Sequence, residues 1–396
     1  MQEVVIVSAV RTAIGKMGGA LKSVQPEDLA RIVIEESVRR AGIDTATIDE
    51  VIFGQAKQST DAPNLARVAA LRAGIPIEVP AYTVMRQCGS GLQAVNNAAE
   101  AIMCGRADMI VAGGTESMSN APYYLRNARY GYGADNGLLI DSNTESQPRS
   151  QPIETYGNLT MGMTAENLAV KYGITREEQD RFALTSQDRA AAAIREGRFK
   201  DEITPVMIPQ RKGDPFAFDT DEFPRQTSMD QLANLKPVFK QGGTVTAGNA
   251  SGRNDGAASL VIMSASEAQR RNLKPLAIIR GHASAGVSPE IMGIGPVPAL
   301  LKAARIAGLT VGDLSLIELN EAFAAQSLAV IKELGLNTDI VNVNGGAIAL
   351  GHPLGCSGAR ILTTLLYEMK RRHVKYGAAT LCIAGGQGIA SVIEAI

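Results

Sequence analysis

Residues 342–360, with the sequence NVNGGAIALGHPLGCSGAR, contain His352, one of three histidines in the chain, together with five glycines. This much glycine in a short stretch costs backbone entropy, so another group must approach the main chain closely there. Residues 359–369 are apolar at helical spacing, which places Gly-His-Pro-Leu-Gly on a loop that leads into a helix. A histidine on such a loop is typical of catalysis, and a packing role is the alternative.

Composition excludes two classes of partner. With 39 lysine and arginine residues against 40 aspartate and glutamate residues, the chain offers no basic field to nucleic acid. No apolar run reaches the roughly 18 residues that span a bilayer. The first residues, MQEVVIVSAV, carry an acid where a signal peptide would carry positive charge, and their apolar core is too short. We therefore expect a cytoplasmic protein without a membrane segment.

The four cysteines, at positions 88, 104, 356 and 382, are too few and too widely spaced for a disulfide framework. None belongs to a C-x-x-C pair, so a structural zinc site is not expected. The sequence therefore predicts free thiols and no metal centre.

Short β-branched segments alternate with helical segments at both ends of the chain. Strands are predicted at residues 4–10, 51–54 and 109–112, and helices at 27–41, 64–73 and 92–103. This alternation predicts an α/β fold with a largely parallel sheet. After residue 248 the rhythm returns in the same order: residues 314–320 match 48–54, and Cys356 with its helix matches Cys88 with its helix. We interpret this as an internal duplication that gives two similar lobes facing each other.

The segment between these halves has a different composition. Residues 141–157 are rich in Ser, Gln, Pro and Asn and predict an exposed loop, whereas 164–172 and 176–196 predict helices. We interpret the insertion as a lid or substrate-binding lobe and not as a second sheet. The predicted domains are therefore residues 1–119 with 249–270, the inserted loop domain 120–248, and residues 271–396.

Cys88 follows a predicted strand and lies where a helix begins, with Gly89 and Gly91 beside it. Backbone N–H groups and the helix dipole at such a position favour an anion, which predicts a stabilised thiolate and a nucleophile. A buried, inert cysteine is the alternative.

Cys382 ends the equivalent strand of the second half, just before Ala384-Gly-Gly-Gln-Gly. Taken alone it could be a core residue. Because the strand ends of two facing lobes converge on one crevice, Cys88, His352 and Cys382 form a coherent set. In that set one thiolate attacks, the histidine deprotonates it, and the second thiol shuttles a proton.

Asn320-Glu321-Ala322-Phe323 follows an apolar strand and occupies the second-half position of Gly54. A polar pair at that place can polarise a carbonyl, directly or through water. A helix cap is the alternative role for Asn320.

Together, Cys88-Gly-Ser-Gly, Asn320-Glu-Ala-Phe, Gly351-His-Pro-Leu-Gly and Cys382 before Gly-Gly-Gln-Gly resemble the motifs of the thiolase family over essentially the whole chain. The resemblance implies two duplicated βαβαβαββ lobes in an αβαβα layered arrangement, with an inserted loop domain for coenzyme A binding and oligomerisation. It also implies reversible Claisen chemistry, in which two acetyl-CoA give acetoacetyl-CoA and CoA or a 3-ketoacyl-CoA is cleaved by CoA. A homodimer or homotetramer that needs no cofactor beyond its CoA substrates is implied as well.

Site roles follow from the same resemblance. Cys88 would become acylated, His352 would activate it, and Cys382 would move the α-proton. His352 and a water held by Asn320 would bind the enolate oxygen, and the N–H groups of Cys88 and Ala384 would bind the oxyanion of the acyl transfer. The implied CoA-binding residues are Ser251, Met161, Arg225, Phe239, Ala322 and Phe323.

Two departures leave the acyl chain length open. Position 384 is alanine where the family commonly has glycine, and position 160 is threonine where the acetoacetyl-specific branch commonly has histidine. A longer-chain 3-ketoacyl-CoA thiolase is therefore the first alternative. A second is a decarboxylating ketoacyl synthase-like enzyme, which would need a second catalytic histidine or a histidine–asparagine pair. A third is a catalytically inactive CoA or lipid-carrier module.

Overall fold

A computed structural model describes residues 2–396. Its strands are β1 (Val4–Thr12), β2 (Gly15–Lys16), β3 (Glu50–Gly54), β4 (Ala81–Val84), β5 (Met109–Ser117), β6 (Tyr123–Leu125), β7 (Leu139–Asp141), β8 (Ile203–Thr204), β9 (Val206–Ile208), β10 (Phe216–Phe218), β11 (Asn254–Ser264), β12 (Ala277–Gly286), β13 (Leu316–Leu319), β14 (Tyr376–Ile383) and β15 (Gln387–Ala395). Its helices are α1 (Pro26–Ala41), α2 (Leu65–Arg72), α3 (Ser90–Met103), α4 (Ser142–Glu145), α5 (Ile153–Tyr156), α6 (Met161–Tyr172), α7 (Arg176–Arg195), α8 (Met229–Ala233), α9 (Ala265–Arg270), α10 (Pro296–Ile306), α11 (Ala324–Leu334), α12 (Ala347–Leu350) and α13 (Leu354–Arg372).

The main strands form one hydrogen-bonded path in the order β13-β14-β15-β12-β1-β11-β5-β3-β4. Numbered along the chain, the strands of the first half (β1, β3, β4, β5 and β11) are 1 to 5, and they lie in the sheet in the order 3-2-4-5-1. The strands of the second half (β12, β13, β14 and β15) correspond to 1, 2, 4 and 5, and they lie in the order 2-4-5-1. The third place of the second half is taken by an isolated bridge between Ile317 and Val341. The two halves therefore share one topology, as the duplication predicts. Parallel pairs (β3 with β4 and β5, β13 with β14) are joined by antiparallel ones, so the sheet is mixed and less parallel than expected.

Helices α3 and α13, one from each half, pack against each other and share a single apolar cluster with strands of both halves. Glycine permits this contact. A Cβ on Gly358 would lie 2.4 Å from the backbone nitrogen of Leu92, and one on Gly114 would lie 2.0 Å from the carbonyl oxygen of Gly355. The group that approaches the glycine-rich stretch is therefore the start of the partner helix α3. On the other faces, α1 packs on β1 and β11, and α10 packs on β12 and β15, which gives the layered α/β arrangement.

Helix α13 begins at Leu354, five residues before the predicted start at position 359. Pro353 serves as its N-cap residue, and the glycines that resemble loop residues in the sequence lie inside its first turns. Only a residue without a side chain fits at these positions, because α3 lies against Gly358 and the carbonyl oxygen of Thr115 on β5 would lie 2.5 Å from a Cβ on Gly355.

The inserted segment contains helices α6 and α7, close to the predicted ranges, and two separate two-stranded sheets, β6–β7 and β9–β10. It is anchored to the first half by Arg11 on β1, whose guanidinium lies 2.6 Å from Glu202 and 2.7 Å from Asp221, all three buried. The three-part division of the chain stays a prediction. Among residues 2–396 no helix combines the length and apolar character needed to cross a membrane.

Candidate active site

One cavity of about 200 Å³ collects side chains from both halves and from the inserted segment. Two of the predicted catalytic residues, Cys88 and His352, line it, as does Ala384. Cys382 and Asn320 do not line it, and both are buried directly behind its wall. The cavity therefore brings together residues that are almost 300 positions apart in the sequence.

Cys88 lies in the tight connection between β4 and α3. The residue before it, Gln87, has φ of +43°, a left-handed conformation that is strained for any residue except glycine. The hydroxyl of Ser90 holds this turn, since it accepts from the N–H of Arg86 at 2.8 Å and donates to the carbonyl of Gln87 at 2.7 Å. The thiol is thereby fixed at the cavity with 8% of the residue exposed.

The resting thiol of Cys88 is protonated. Burial raises its pKa to about 11, although the backbone N–H groups of Ala384 and of Cys88 itself act in the opposite direction. The prediction that its position gives a stabilised thiolate is wrong for the free protein, because desolvation outweighs the two N–H groups. Both N–H groups are nevertheless close enough to the sulfur to lower its pKa.

Alanine at position 384 is compatible with this geometry. The positive φ values of the β14–β15 turn fall on Gly385 (+88°) and Gly386 (+83°), and Ala384 is not among the positive-φ residues. The backbone N–H of Ala384 still reaches the sulfur of Cys88. The loss of glycine at this position therefore does not remove the N–H group.

The backbone places His352 at the cavity through a second constrained loop. Gly351 has φ of +102°, and a Cβ there would lie 2.3 Å from the side chain of Asn254. The amide oxygen of Asn254 accepts a hydrogen bond from the N–H of His352 at 3.0 Å. Glycine is required at 351 for both its conformation and its space.

The imidazole of His352 is neutral and of defined tautomer. Its Nδ1 lies 2.6 Å from the hydroxyl of Ser357, which donates its own hydrogen to the carbonyl of Pro353 at 2.9 Å. The hydroxyl therefore accepts from Nδ1–H, which leaves Nε2 unprotonated. Burial, with a contribution from the charge of Arg360, lowers the pKa of His352 to about 3. At pH 7 the ring can act as a base through Nε2.

Replacing Ser357 by alanine is expected to lower kcat/KM for the thiolysis that the sequence motifs imply by about 10-fold, because one hydrogen bond that orients the imidazole is lost. Steady-state kinetics measure this change. The matched control is Thr363→Val, since Thr363 lies further along α13 and bonds only to the carbonyl of Ala359 in its own helix. An equal loss in both variants, or none in Ser357→Ala, would contradict the orienting role.

Asn320 follows β13 and contacts the histidine, with its Nδ2 3.4 Å from Nε2 of His352. It is not a helix cap, because α11 begins at Ala324 with Phe323 as its N-cap residue. Within the described chain the amide oxygen of Asn320 has no hydrogen-bond partner although it is buried. An unpartnered buried carbonyl costs free energy and is a place for an ordered water molecule.

Glu321, the second member of the polar pair, has a structural role. Its carboxylate accepts from the hydroxyl of Ser186 at 2.7 Å, from Asn342 at 2.9 Å and from the N–H of Ile348 at 3.2 Å. These contacts tie the inserted helix α7 to the loop that precedes His352.

Cys382, at the end of β14, is fully buried and belongs to the apolar cluster that includes Phe323, Met292 and Ala250. Burial raises its pKa, and the charge of the Cys88 thiolate raises it further. The two sulfurs are therefore close enough to interact electrostatically, and Cys382 is a weak acid held in its thiol form.

Five of the six residues implied in CoA binding line the cavity, namely Met161, Phe239, Ser251, Ala322 and Phe323. The rings of Phe239 and Phe323 meet edge to face with centroids 6.1 Å apart. Arg225 is exposed and lies outside the lining, where its guanidinium binds the carbonyl of Ala247 at 3.0 Å. The binding roles of all six residues stay predictions.

The residues that form one wall of the cavity could not be predicted from the sequence. The composition of residues 141–157 predicts an exposed loop, but Asn143 and Gln151 are buried, and the segment covers the cavity with Asn143, Ser146, Gln147 and Ser150. Lys57 lines the cavity without a motif around it as well. Composition cannot distinguish polar side chains that face water from polar side chains that face a cavity. The prediction of an exposed loop is therefore wrong for the buried positions within residues 142–151, whereas residues 152–155 are exposed as predicted.

A duplicated α/β fold, with a buried cysteine held between backbone N–H groups beside a neutral histidine, defines the class of cysteine-dependent acyl-transfer enzymes. The chain belongs to the thiolase family of acyltransferases. Residues 4–266 match the family model "Thiolase, N-terminal domain", and residues 273–395 match "Thiolase, C-terminal domain".

Individual relatives agree with this assignment. The acetyl-CoA acetyltransferase of Chromobacterium violaceum is 54% identical over 393 residues, 99% of each chain. The crystal structure of the Bacillus anthracis acetyl-CoA acetyltransferase superimposes with a TM-score of 0.97 at 49% identity and covers 100% of this chain and 99% of that one. Human mitochondrial 3-ketoacyl-CoA thiolase in complex with CoA gives a TM-score of 0.95 at 46% identity, covering 100% of this chain and 98% of that one.

Proposed function

We propose that this thiolase interconverts two acetyl-CoA with acetoacetyl-CoA and CoA through an acyl-enzyme on Cys88. The observation that carries the proposal is the cavity that Cys88 and His352 line together, with Cys382 buried behind its wall and Asn320 in contact with the histidine. Relatives named acetyl-CoA acetyltransferase, about half identical over the full length, support this substrate over a longer-chain 3-ketoacyl-CoA.

In the first half-reaction, the sulfur of Cys88 attacks the thioester carbonyl of acetyl-CoA while its proton passes to Nε2 of His352. Both groups are neutral at rest, so proton transfer accompanies attack instead of preceding it. The carbonyl oxygen gains negative charge and accepts from the N–H groups of Cys88 and Ala384. CoA leaves with the proton from His352, and the acetyl group stays on Cys88.

In the second half-reaction, a second acetyl-CoA binds and the thiol of Cys382 passes its proton to Nε2 of His352. The resulting Cys382 thiolate removes a proton from the α-carbon of acetyl-CoA. The enolate oxygen accepts from protonated Nε2 of His352 and from a water held by Asn320. The α-carbon then attacks the acetyl carbonyl, the bond to Cys88 breaks, and acetoacetyl-CoA forms. The released sulfur of Cys88 takes the proton from His352, which restores the resting protein. Because the acyl group is already tied to the protein, condensation occurs between positioned partners and the kinetics are ping-pong.

Chain length is tested by thiolysis of 3-ketoacyl-CoA substrates from C4 to C16. We expect kcat/KM for the C4 substrate to exceed that for C16 by at least about 10-fold, because the cavity is small and one wall is polar, so long apolar chains gain little burial. Initial rates at fixed CoA across the series measure this. Rates that rise toward C16 would favour a longer-chain 3-ketoacyl-CoA thiolase.

A decarboxylating condensing enzyme and an inactive carrier module have distinct requirements. The condensing enzyme needs a second catalytic histidine or a histidine–asparagine pair, and Cys382 stands where that partner would be. The two remaining histidines lie elsewhere, His282 on β12 and His373 at the end of α13. An inactive carrier would not need the intact set of Cys88, His352 and Cys382. The cytoplasmic location, the homodimer or homotetramer, and the absence of a cofactor stay predictions.

A further inference from the structure

Lys57 is a buried cation in the wall of the catalytic cavity. It lies three residues after β3, is 7% exposed and lines the same cavity as Cys88. Its ammonium donates to the carbonyl of Ser142 at 3.1 Å and to the hydroxyl of Ser146. Among residues 2–396 the ammonium forms no hydrogen bond or salt bridge with a carboxylate, and buried lysines usually have such a partner. Its charge therefore lacks a direct counter-ion in the resting protein.

The nearest carboxylate on the sheet side is already engaged by the main chain. Glu116 on β5 accepts from the N–H groups of Ala56 and Lys57, both at 3.0 Å, and of Gly355 at 2.9 Å. Burial raises the pKa of Glu116. This carboxyl group supports the backbone around Lys57 and does not bind its ammonium.

Two charged groups face Lys57 from the inserted segment and from the chain before β11. Asp141 accepts from the N–H of Asn143 at 2.9 Å and lies 3.7 Å from the guanidinium of Arg253. The two opposite charges offset each other near Lys57. The thiol of Cys88 is then the group in the cavity whose ionisation would give the ammonium a counter-charge.

We propose that Lys57 is a positioning residue whose ammonium provides the counter-charge for the sulfur of Cys88 as it becomes a thiolate and attacks the thioester. The inference rests on the proposed function. The proton still passes from Cys88 to His352, and Lys57 keeps its own. Its contribution is a fixed positive charge in a site of low dielectric, where charges interact strongly.

Electrostatics supports this placement. The charge of Lys57 lowers the pKa of Cys88, whereas burial and the charge of Glu116 raise it. Reciprocally, burial lowers the pKa of Lys57, and Glu116, the Cys88 thiolate and Asp141 raise it. Ionisation of the thiol and retention of the ammonium proton therefore favour each other.

The test is the pH dependence of Cys88 alkylation by iodoacetamide, a neutral reagent, in the full-length protein. Peptide mass spectrometry separates Cys88 from the exposed Cys104. At pH 8 the rate is proportional to the thiolate fraction, so we expect Lys57→Met to lower it by about 3- to 10-fold, equivalent to about half to one pH unit. Lys57→Arg should restore most of the rate. In thiolysis, kcat/KM should fall by a similar factor while KM stays within about 2-fold.

The control is Lys274→Met, an exposed lysine between α9 and β12, which should leave alkylation unchanged. An unshifted pH profile in Lys57→Met, or failure of arginine to restore the rate, would overturn the inference. If Lys57→Met is recovered unfolded by circular dichroism, Lys57→Gln, which keeps a donor for Ser142, is judged by the same criterion. Wild-type protein in which acetyl-CoA neither acetylates Cys88 nor protects it from alkylation would instead contradict the proposed function.

Discussion

Replacement of Cys88 by alanine is expected to abolish the acyl-enzyme and to lower kcat for thiolysis by at least about 10⁴-fold. Among the described residues, Cys88 is the one cysteine that lines the cavity, and its sulfur is the atom that the N–H groups of Cys88 and Ala384 reach. Without this sulfur the acetyl group has no acceptor, because the N–H group of Ala384 acts on Cys88 and not on Cys382. The N–H groups would remain in place, but no oxyanion would form for them to stabilise.

Intact-protein mass spectrometry after incubation with acetyl-CoA measures the acyl-enzyme directly. Cys104→Ala is the matched control, since Cys104 is exposed at the end of α3 and its loss should leave acetylation as in the wild type. The melting temperature of both variants reports on folding. An acetylated Cys88→Ala protein that retains turnover would exclude Cys88 as the nucleophile.

Much of the fold could be predicted because it depends on pattern and order. The alternation of strands and helices indicates the α/β class, and the match of residues 48–54 with 314–320 corresponds in space to β3 and β13, which hold equivalent places in their halves. The start of α13 could not be predicted from local preference. Gly355 and Gly358 resemble loop residues in sequence, but they lie in a helix where β5 packs closely on Gly355 and α3 on Gly358, which is a tertiary effect.

The catalytic residues could be predicted because they lie in sequence motifs. Their contacts and pKa shifts could not, because these depend on burial in the folded chain. Cys88 and His352 stand out by their glycine-rich surroundings. Ser357 and Asn254, which fix the imidazole and its backbone, carry no local signal, because nothing in the neighbouring sequence indicates a contact to His352. The direction of the pKa shift of Cys88 was also unpredictable, since a helix start is visible in sequence and the extent of desolvation is not.

Replacement of Cys382 by serine is expected to preserve acetylation of Cys88 and to slow exchange of the acetyl-CoA α-protons with solvent by about 10²- to 10⁴-fold, the range that general acid–base catalysis contributes. Serine keeps the size and hydrogen bonding of cysteine, and its hydroxyl is a far weaker acid than a thiol. Ionisation of Cys382 is already costly, because burial raises its pKa and a negative charge on Cys88 would raise it further. A thiolate therefore forms there more readily once Cys88 is acylated, because the acylated sulfur can no longer ionise.

Because the pKa of Cys382 depends on the charge of Cys88, acetylation of Cys88 should precede ionisation of Cys382. Acetylated Cys88 cannot carry the negative charge that would raise the pKa of Cys382, so Cys382 can ionise without a second anion beside it when the second acetyl-CoA arrives. Nuclear magnetic resonance of acetyl-CoA in deuterated buffer follows the exchange, and mass spectrometry follows acetylation in the same sample. Cys356→Ser is the matched control, because Cys356 is equally buried, burial raises its pKa to about 12, and it does not line the cavity. Exchange at the wild-type rate in Cys382→Ser, or an equal loss in Cys356→Ser, would refute proton transfer by Cys382.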